Sequence, residues 1–462
     1  MTVIAAPEPV APRDFAETLR AHLEDPRTRL LHLTHVPGVP GIPAGEPGLV
    51  LAVYEGAQGL GALAAPAVLP TRPSRVGVAA AAIEEWRLEL DGLRWAEEAS
   101  ERAILGRGVF TFPLGPVRAD VAESAGWRFS VMGDEVLGLH LRFGYKRRHL
   151  EQAMGATTPS EGVLVAERVT GTSPLAHALA YANAWEAALR QTVPPPATYW
   201  RAVMAELERL HSHLGDLASL ANATGLPAAA AELYVLKEQV LRLCLRLTGH
   251  RYQRGAITVG GLARTLAPIP DLPRALQAIH GRFGLNIAEL DRSTSFLDRL
   301  HTAGRVPPEA VQTLHPVGPT GRACGLPYDV RTDVPYSWYA AVGAPPPVVE
   351  NTGDSWARYR VRVREVRSSL RWLLERLEEG VPTGSAQDPG SPVSGLCVAR
   401  VEAPRGELLY IVCPGPVQWV RVRPASAVNW AVVPPAVGVG NVLQDVPIID
   451  ASFSLSVAAL DR

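Results

Sequence analysis

Four cysteines in 462 residues, Cys244, Cys324, Cys397 and Cys413, stand far apart and form no Cys-x-x-Cys or other ligand spacing. They read as buried thiols in a reducing compartment rather than as a disulfide framework. Net charge is equally scarce. The 45 basic and 46 acidic side chains leave −1, so there is no electrostatic footprint for nucleic acid or for an anionic membrane surface. No segment approaches the roughly 18–20 apolar residues that span a bilayer. Residues 49–70 come nearest, and Glu55, Gln58 and several glycines interrupt them. Residues 1–9 carry neither the basic region nor the apolar region of a secretory signal. The expectation is a cytoplasmic protein, peripheral to the cell membrane and held there through partner subunits. Gly-x-Ser-x-Gly, HExxH, Walker and Rossmann motifs are also missing.

What is present suits a soluble globular protein with a substantial core: 47% hydrophobic and 20% charged residues. The chain divides into residues 1–104, an N-terminal α/β region, and residues 105–462. In the first part, 49–55 reads as a strand and 76–104 as helix, while the Pro/Gly-rich stretch 36–43 reads as a rigid turn. In the second, 127–132 and 136–143 flank the turn Gly133-Asp134 as a strand pair. Two long helices follow from apolar positions spaced near 3.6 residues. One covers about 199–222 through Val203, Leu207, Leu210, Leu214 and Leu217; the other covers 355–379 through Tyr359, Val363, Val366, Leu370 and Leu373, stopped by Gly380 and Pro382. Both carry charged opposite faces, as bundle helices do. Residues 381–394 read as an exposed loop, and 406–413 with 418–423 as a hairpin.

Several segments, in order, resemble one family. They are Pro113-Leu114-Gly115-Pro116-Val117, Gly144-Tyr145-Lys146-Arg147-Arg148-His149, Glu167-Arg168-Val169 onward to Tyr181, and the run from Met204 to Asp216. Leu247-Thr248-Gly249-His250-Arg251 with Gly260-Gly261, Asp329-Val330-Arg331 with Pro335-Tyr336, Gly406-Glu407 and Asp445-Val446-Pro447 complete the series. Together they resemble the large subunit of group 4, membrane-bound, energy-converting NiFe-hydrogenases of the formate-hydrogenlyase type. They are similar too to the homologous 49-kDa-type subunit of respiratory complex I. The resemblance covers about 108–462 and implies an α+β fold, a mainly helical bundle core with small peripheral β-sheets. Residues 1–104 would then match a shortened form of the complex I-type domain that is fused to formate-hydrogenlyase large subunits.

In the hydrogenase branch two Cys-x-x-Cys motifs supply four thiolates to nickel and iron. The corresponding positions here are Thr170, Ser173, Ser456 and Ala459, although the flanking Glu167, Arg168, Gly171 and His177 persist. Neutral hydroxyls and a methyl cannot replace thiolates as soft-metal ligands. The resemblance thus implies a member without hydrogen chemistry, binding no metal or cofactor itself. In the complex I branch a Tyr and a His contact quinone. Gly171 and Arg118 stand at those positions, and the Asp that partners the His falls at about Ala223. Quinone reduction is therefore weakened, and a remodelled quinone site using Arg118 or Glu123 stays open.

The side toward a partner is better kept. Arg148 and His213 match positions close to the iron–sulfur cluster of a neighbouring small subunit. A fixed positive charge there raises a cluster's potential by stabilising its added electron. His213 alternatively satisfies a buried hydrogen bond, and His177 is expected to make a structural one. His211, two residues from His213, points from another helix face. The implied role is a subunit that docks an iron–sulfur small subunit and links electron arrival to integral-membrane subunits. An inert scaffold is the alternative from another class.

Overall fold

A computed structural model describes residues 123–462 except 268, 388, 389, 394, 416, 417 and 439. Before them it describes residues 2–4, 8, 9, 18, 29–36, 49–56, 59–66, 104 and 106–117. The helix expected over 76–104 (Ile104 apart), the turn over 37–43 and Arg118 lie outside the described residues.

The architecture is mixed, with a helical core and small, mainly antiparallel sheets at its edges. Strands β1 (Thr2–Ile4), β2 (Glu8–Pro9), β3 (Arg29–Val36), β4 (Leu49–Gly56) and β5 (Gly59–Pro66) precede β6 (Val109–Leu114), β7 (Gly126–Met132) and β8 (Glu135–Arg142). The main helices follow. They are α1 (Leu150–Ala156), α2 (Pro159–Ala166), α3 (Pro174–Leu189), α4 (Pro195–Ala223) and α5 (Pro227–Thr248), then, after the short β9 (Ile257–Thr258) and β10 (Gly261–Leu262), α6 (Leu272–Leu290) and α7 (Ser355–Glu379). Strands β11 (Leu396–Ala403), β12 (Gly406–Cys413) and β13 (Trp419–Arg423) and the helix α8 (Val446–Phe453) close the chain.

Both long helices expected from periodicity are present, and α7 begins where Asp354 accepts the Ala357 N–H at 2.9 Å. The expected strand pair is β7–β8, with β6 added on the β7 edge. The hairpin β12–β13 is likewise extended by β11 and then by β1, in the order β1-β11-β12-β13. β11 escapes a period-two reading because both faces of this sheet are covered. Cys397, Ala399, Val401, Tyr410 and Val412 join the main core, whereas Leu396, Val398, Leu409 and Ile411 pack with Val53 of β4 and Ala62 of β5.

Glycines placed by the family-like motifs have backbone reasons. Gly260 (φ +86°) turns the β9–β10 hairpin so that its N–H reaches Glu186 at 2.7 Å; a Cβ there would lie 2.0 Å from Gln191. Gly406 (φ +123°) lies against Gly318, whose backbone nitrogen would be 2.7 Å from any added Cβ.

The charged face of α4 is not in water. Glu206, Arg209 and His213 are buried, as is Glu365 of α7. His213 Nε2 meets Glu365 Oε2 at 2.8 Å, and Arg322 Nε donates to Glu365 Oε1 at 2.8 Å. Arg322 Nη1 continues to Glu402 on β11 at 2.9 Å. Arg331 donates to Glu206 at 2.8 Å and grips Asp329 through Nε (3.0 Å) and Nη2 (2.7 Å). Arg209 lies 3.7 Å from Glu206 and donates to the Glu402 carbonyl at 2.7 Å. Burial alone raises the Glu365 carboxyl, but Arg322 and the His213 bond outweigh it and hold it well below the usual range. Burial, then the neighbouring Asp329, push Glu402 the other way, upward.

Removing one member strands its partners in a dry interior. Arg331→Met should therefore lower unfolding free energy by roughly 3–5 kcal/mol, read by urea denaturation. Glu402→Gln, which removes the carboxyl already pushed toward its neutral form, should cost distinctly less. Equal losses would show that the charge balance inferred for Glu402 is wrong.

Candidate functional site

The two thiol-less motif frames meet in space. The first is the turn joining α2 to α3, residues 167–173; the second follows α8 as residues 454–461. Arg148, in the exposed loop between β8 and α1, joins them. Its Nη2 donates to the carbonyls of both Val169 (2.8 Å) and Ala458, its Nη1 to Arg168 O (2.6 Å), and its backbone N–H to Asp461 O (2.8 Å). Its side chain thus bonds to this chain's own carbonyls, at the joint between the frames.

Each former ligand position is built into that joint. Thr170 Oγ1 lies 3.1 Å from His177 Nε2, whose Nδ1 lies 2.9 Å from the Tyr410 hydroxyl on β12. Ser173 is buried and starts α3, while the N–H groups of Leu175 and Ala176 donate to Glu208 at 2.7 and 3.0 Å. Ser456 Oγ donates to Glu123 at 3.4 Å, and the Ala458 N–H donates to the same oxygen at 2.7 Å. Ala459 is fully buried. Arg405 forms a second bridge, bonding Thr172 Oγ1 on one side and the Ser454 carbonyl on the other, with Asp216 at 3.5 Å.

This donor set does not fit a thiolate-held nickel–iron centre. The Thr170 and Ser456 hydroxyls are neutral and engaged, Ser173 is neutral, and Ala459 has no donor atom. Among the described residues no three or more His, Cys, Asp or Glu side chains converge as a metal site. The cysteines are free; Cys244, Cys397 and Cys413 are buried and Cys324 is half-buried.

Thr170, Ser173, Ser456, Ala459, Arg148, His177 and Glu123 therefore belong to one constellation. His213 stands apart, in the ionic network of α4 and α7, and His211 faces Tyr252 edge-on at 5.5 Å. Gly171 is exposed at the rim, and a Cβ there would meet nothing within 4 Å. Sequence reasoning missed Arg405 and Tyr410. The only signal for Arg405 was its place directly before Gly406-Glu407, and Tyr410 looked like an ordinary strand residue.

A helical core with small edge sheets, and two thiol-free turns bridged by Arg148 and Arg405, is the class of fold and site that this geometry defines. The family model of the 49 kDa subunit of respiratory-chain NADH dehydrogenase matches residues 225–392. NADH-quinone oxidoreductase subunit 4 of Thermus thermophilus is 30% identical over 403 residues, covering 79% of this chain and 96% of that one. Formate hydrogenlyase subunit 5 of Escherichia coli is 29% identical over 360 residues, covering 76% of this chain and 62% of its own length. A chain in the structure of the membrane-bound sulfane sulfur reductase, an archaeal respiratory membrane complex, superposes with a TM-score of 0.70 at 23% identity. That match covers 78% of this chain and all of the other. The chain belongs to the 49-kDa family, in which complex I subunits and hydrogenase large subunits are related. No helix among the described residues is long and apolar enough to cross a membrane.

Two outcomes test the joint. Arg148→Ala should speed amide hydrogen exchange across 168–173 and 456–461 while α4 keeps its protection; unchanged exchange in both segments would rule out the clamp. The second outcome concerns pH. Burial, with Arg148 adding to it, pushes the His177 imidazole down to about 3, against an ordinary 6.5, and burial pushes His211 down equally. As pH falls below 6.5 the unfolded chain takes up protons that these buried rings refuse, so this contribution is complete above 6.5 and shrinks toward pH 3. His177→Gln should make the loss of unfolding free energy between pH 7 and pH 5 shallower, measured by denaturant titration at each pH.

Proposed function

We propose that this chain is the large-subunit component of a membrane-associated complex of the complex I and energy-converting hydrogenase type. It docks an iron–sulfur small subunit and couples electron transfer to an integral-membrane module, with no hydrogen chemistry of its own. The observation that carries this reading is the joint itself. Both motif frames are kept and held together by Arg148 and Arg405, while the four ligand positions hold Thr170, Ser173, Ser456 and Ala459. A frame retained without its donors points to selection for shape at a contact with an electron carrier rather than for reaction at a metal.

Within this reading Arg148 places a fixed positive charge at the exposed side of the joint. A cluster seated near it has its reduced form stabilised. His213 acts from deeper in the molecule, tied to Glu365, so its influence on the carrier is indirect. No observation favours a remodelled quinone site. Glu123 is engaged by Ser456 and Ala458, and Gly171 offers no side chain.

The test is purification of the native complex through a tag on this chain, with metal analysis and electron paramagnetic resonance. Iron–sulfur signals from a co-purifying small subunit, with nickel far below one per chain, are expected. Stoichiometric nickel would overturn the loss of metal chemistry. A chain that purifies alone and without iron would overturn docking and leave the inert scaffold. Arg148→Ala should lower the potential of the nearest cluster in the assembled complex.

A further inference from the structure

Beside Gly171 the surface opens into a recess of about 550 Å³, lined on its other sides by Leu245, Gly249 and residues 250–252 and 254. We propose that this recess receives acidic side chains of the docked partner subunit, with the Arg254 guanidinium and the His250 imidazole as the groups that hold a carboxylate. The inference rests on the docking role proposed above and names the chemistry of that contact.

His250 Nδ1 is turned inward, where it accepts the N–H groups of Tyr252 (3.1 Å) and Arg254 (3.4 Å). An imidazole that accepts at Nδ1 carries its proton on Nε2, so a donor is left for the recess. Arg254 makes no side-chain hydrogen bond among the described residues, and its Nε is buried without a partner. A guanidinium is a planar fork of donors that matches a carboxylate. Two carboxylates of this region are already engaged: Glu167, which feels the Arg254 charge, is buried and accepts the Gly255 N–H at 2.7 Å, and Glu238 is gripped by Arg251 at 2.6 and 2.8 Å. Arg168 and Arg264 add positive potential, which both His250 and Glu167 register.

A protein carboxylate suits this site better than a lipid surface. Anionic membranes are held by clusters of freely solvated Lys and Arg flanked by apolar anchors. Here Arg251 is fixed to Glu238, Arg264 is fixed to the Thr248 and Gly255 carbonyls, and Leu245 is the single exposed large apolar residue at the lining. One free fork and one imidazole donor match one or two carboxylates.

The experiment compares the wild type with Arg254→Gln, Arg254→Lys and, as a control away from the recess, Arg246→Gln. The salt concentration at which the chain leaves its detergent-solubilised native complex is measured first. Binding of a fluorescein-labelled oligoglutamate peptide to the isolated full chain is measured second. Arg254→Gln should dissociate at lower salt and weaken peptide binding by about tenfold, the usual loss for one charge-assisted hydrogen bond. Arg254→Lys should fall between, and Arg246→Gln should match the wild type. Peptide binding and salt resistance that are unchanged in Arg254→Gln would overturn the proposal. So would Arg254-dependent binding to phosphatidylglycerol vesicles without peptide binding, which would assign the recess to lipid. If the chain purifies without partners, the docking role fails by itself, and the peptide measurement still decides whether the recess takes carboxylates.

Discussion

The structure depends on a dry ionic network that ties α4 to α7, to β11 and to the short helices Gly318–Ala323 and Val330–Asp333, which carry Arg322 and Arg331, the second capped by Asp329. Three guanidiniums and four carboxylates stand almost without exposure, with His213 attached to Glu365. Taking such charges out of water is costly, and their mutual attraction offsets the cost only when every partner is in place. That requirement makes the network a specification of geometry. The helices, the β11 strand and the 322–331 segment have to meet in one register, or a charge is left buried and unpaired. Four carboxylates against three guanidiniums leave one negative charge over, which fits the upward push on Glu402.

The motif joint is a smaller version of the same logic. Arg148 and Arg405 reach across from outside the two frames and satisfy carbonyls and a hydroxyl on both. In a site built around metal, four metal–sulfur bonds would hold these turns together. Here hydrogen bonds do so, with Thr170 linked to His177 and Tyr410, and Ser456 linked to Glu123. The contacts lie both at these positions, through Thr170 and Ser456, and around them, through Arg148 and Arg405. The recess beside Gly171 adjoins that joint and is lined by Arg254 and His250.

Much of this was legible from residue order. The apolar repeat gave α4 and α7, Gly133-Asp134 gave the β7–β8 turn, and the four ligand positions stood out because their flanks were intact. His177 was expected to make a structural hydrogen bond, and it makes two contacts. Less was legible where burial is two-sided or long-range. β11 mixes Arg400 and Glu402 into an apolar run because both of its faces are covered, so it shows no alternation. The polar face of α4 read as a bundle helix's charged side and is buried instead. Nothing local distinguishes a solvated Glu206 from one bonded to Arg331, 125 positions away.

By itself the sequence determined the family, the two long helices and the absence of cysteine from residues 167–173 and 454–461, because these rest on residue identity and on spacings within one element. Only the tertiary structure decided what holds these two turns together and where the charges went. A guanidinium's partners are chosen by what the fold brings within about 3 Å, and for Arg148, Arg322 and Arg405 those partners come from segments remote in the chain. Arg254 is the complementary case: its neighbours Glu167 and Arg264 are already engaged, and its half-buried guanidinium makes no side-chain hydrogen bond among the described residues.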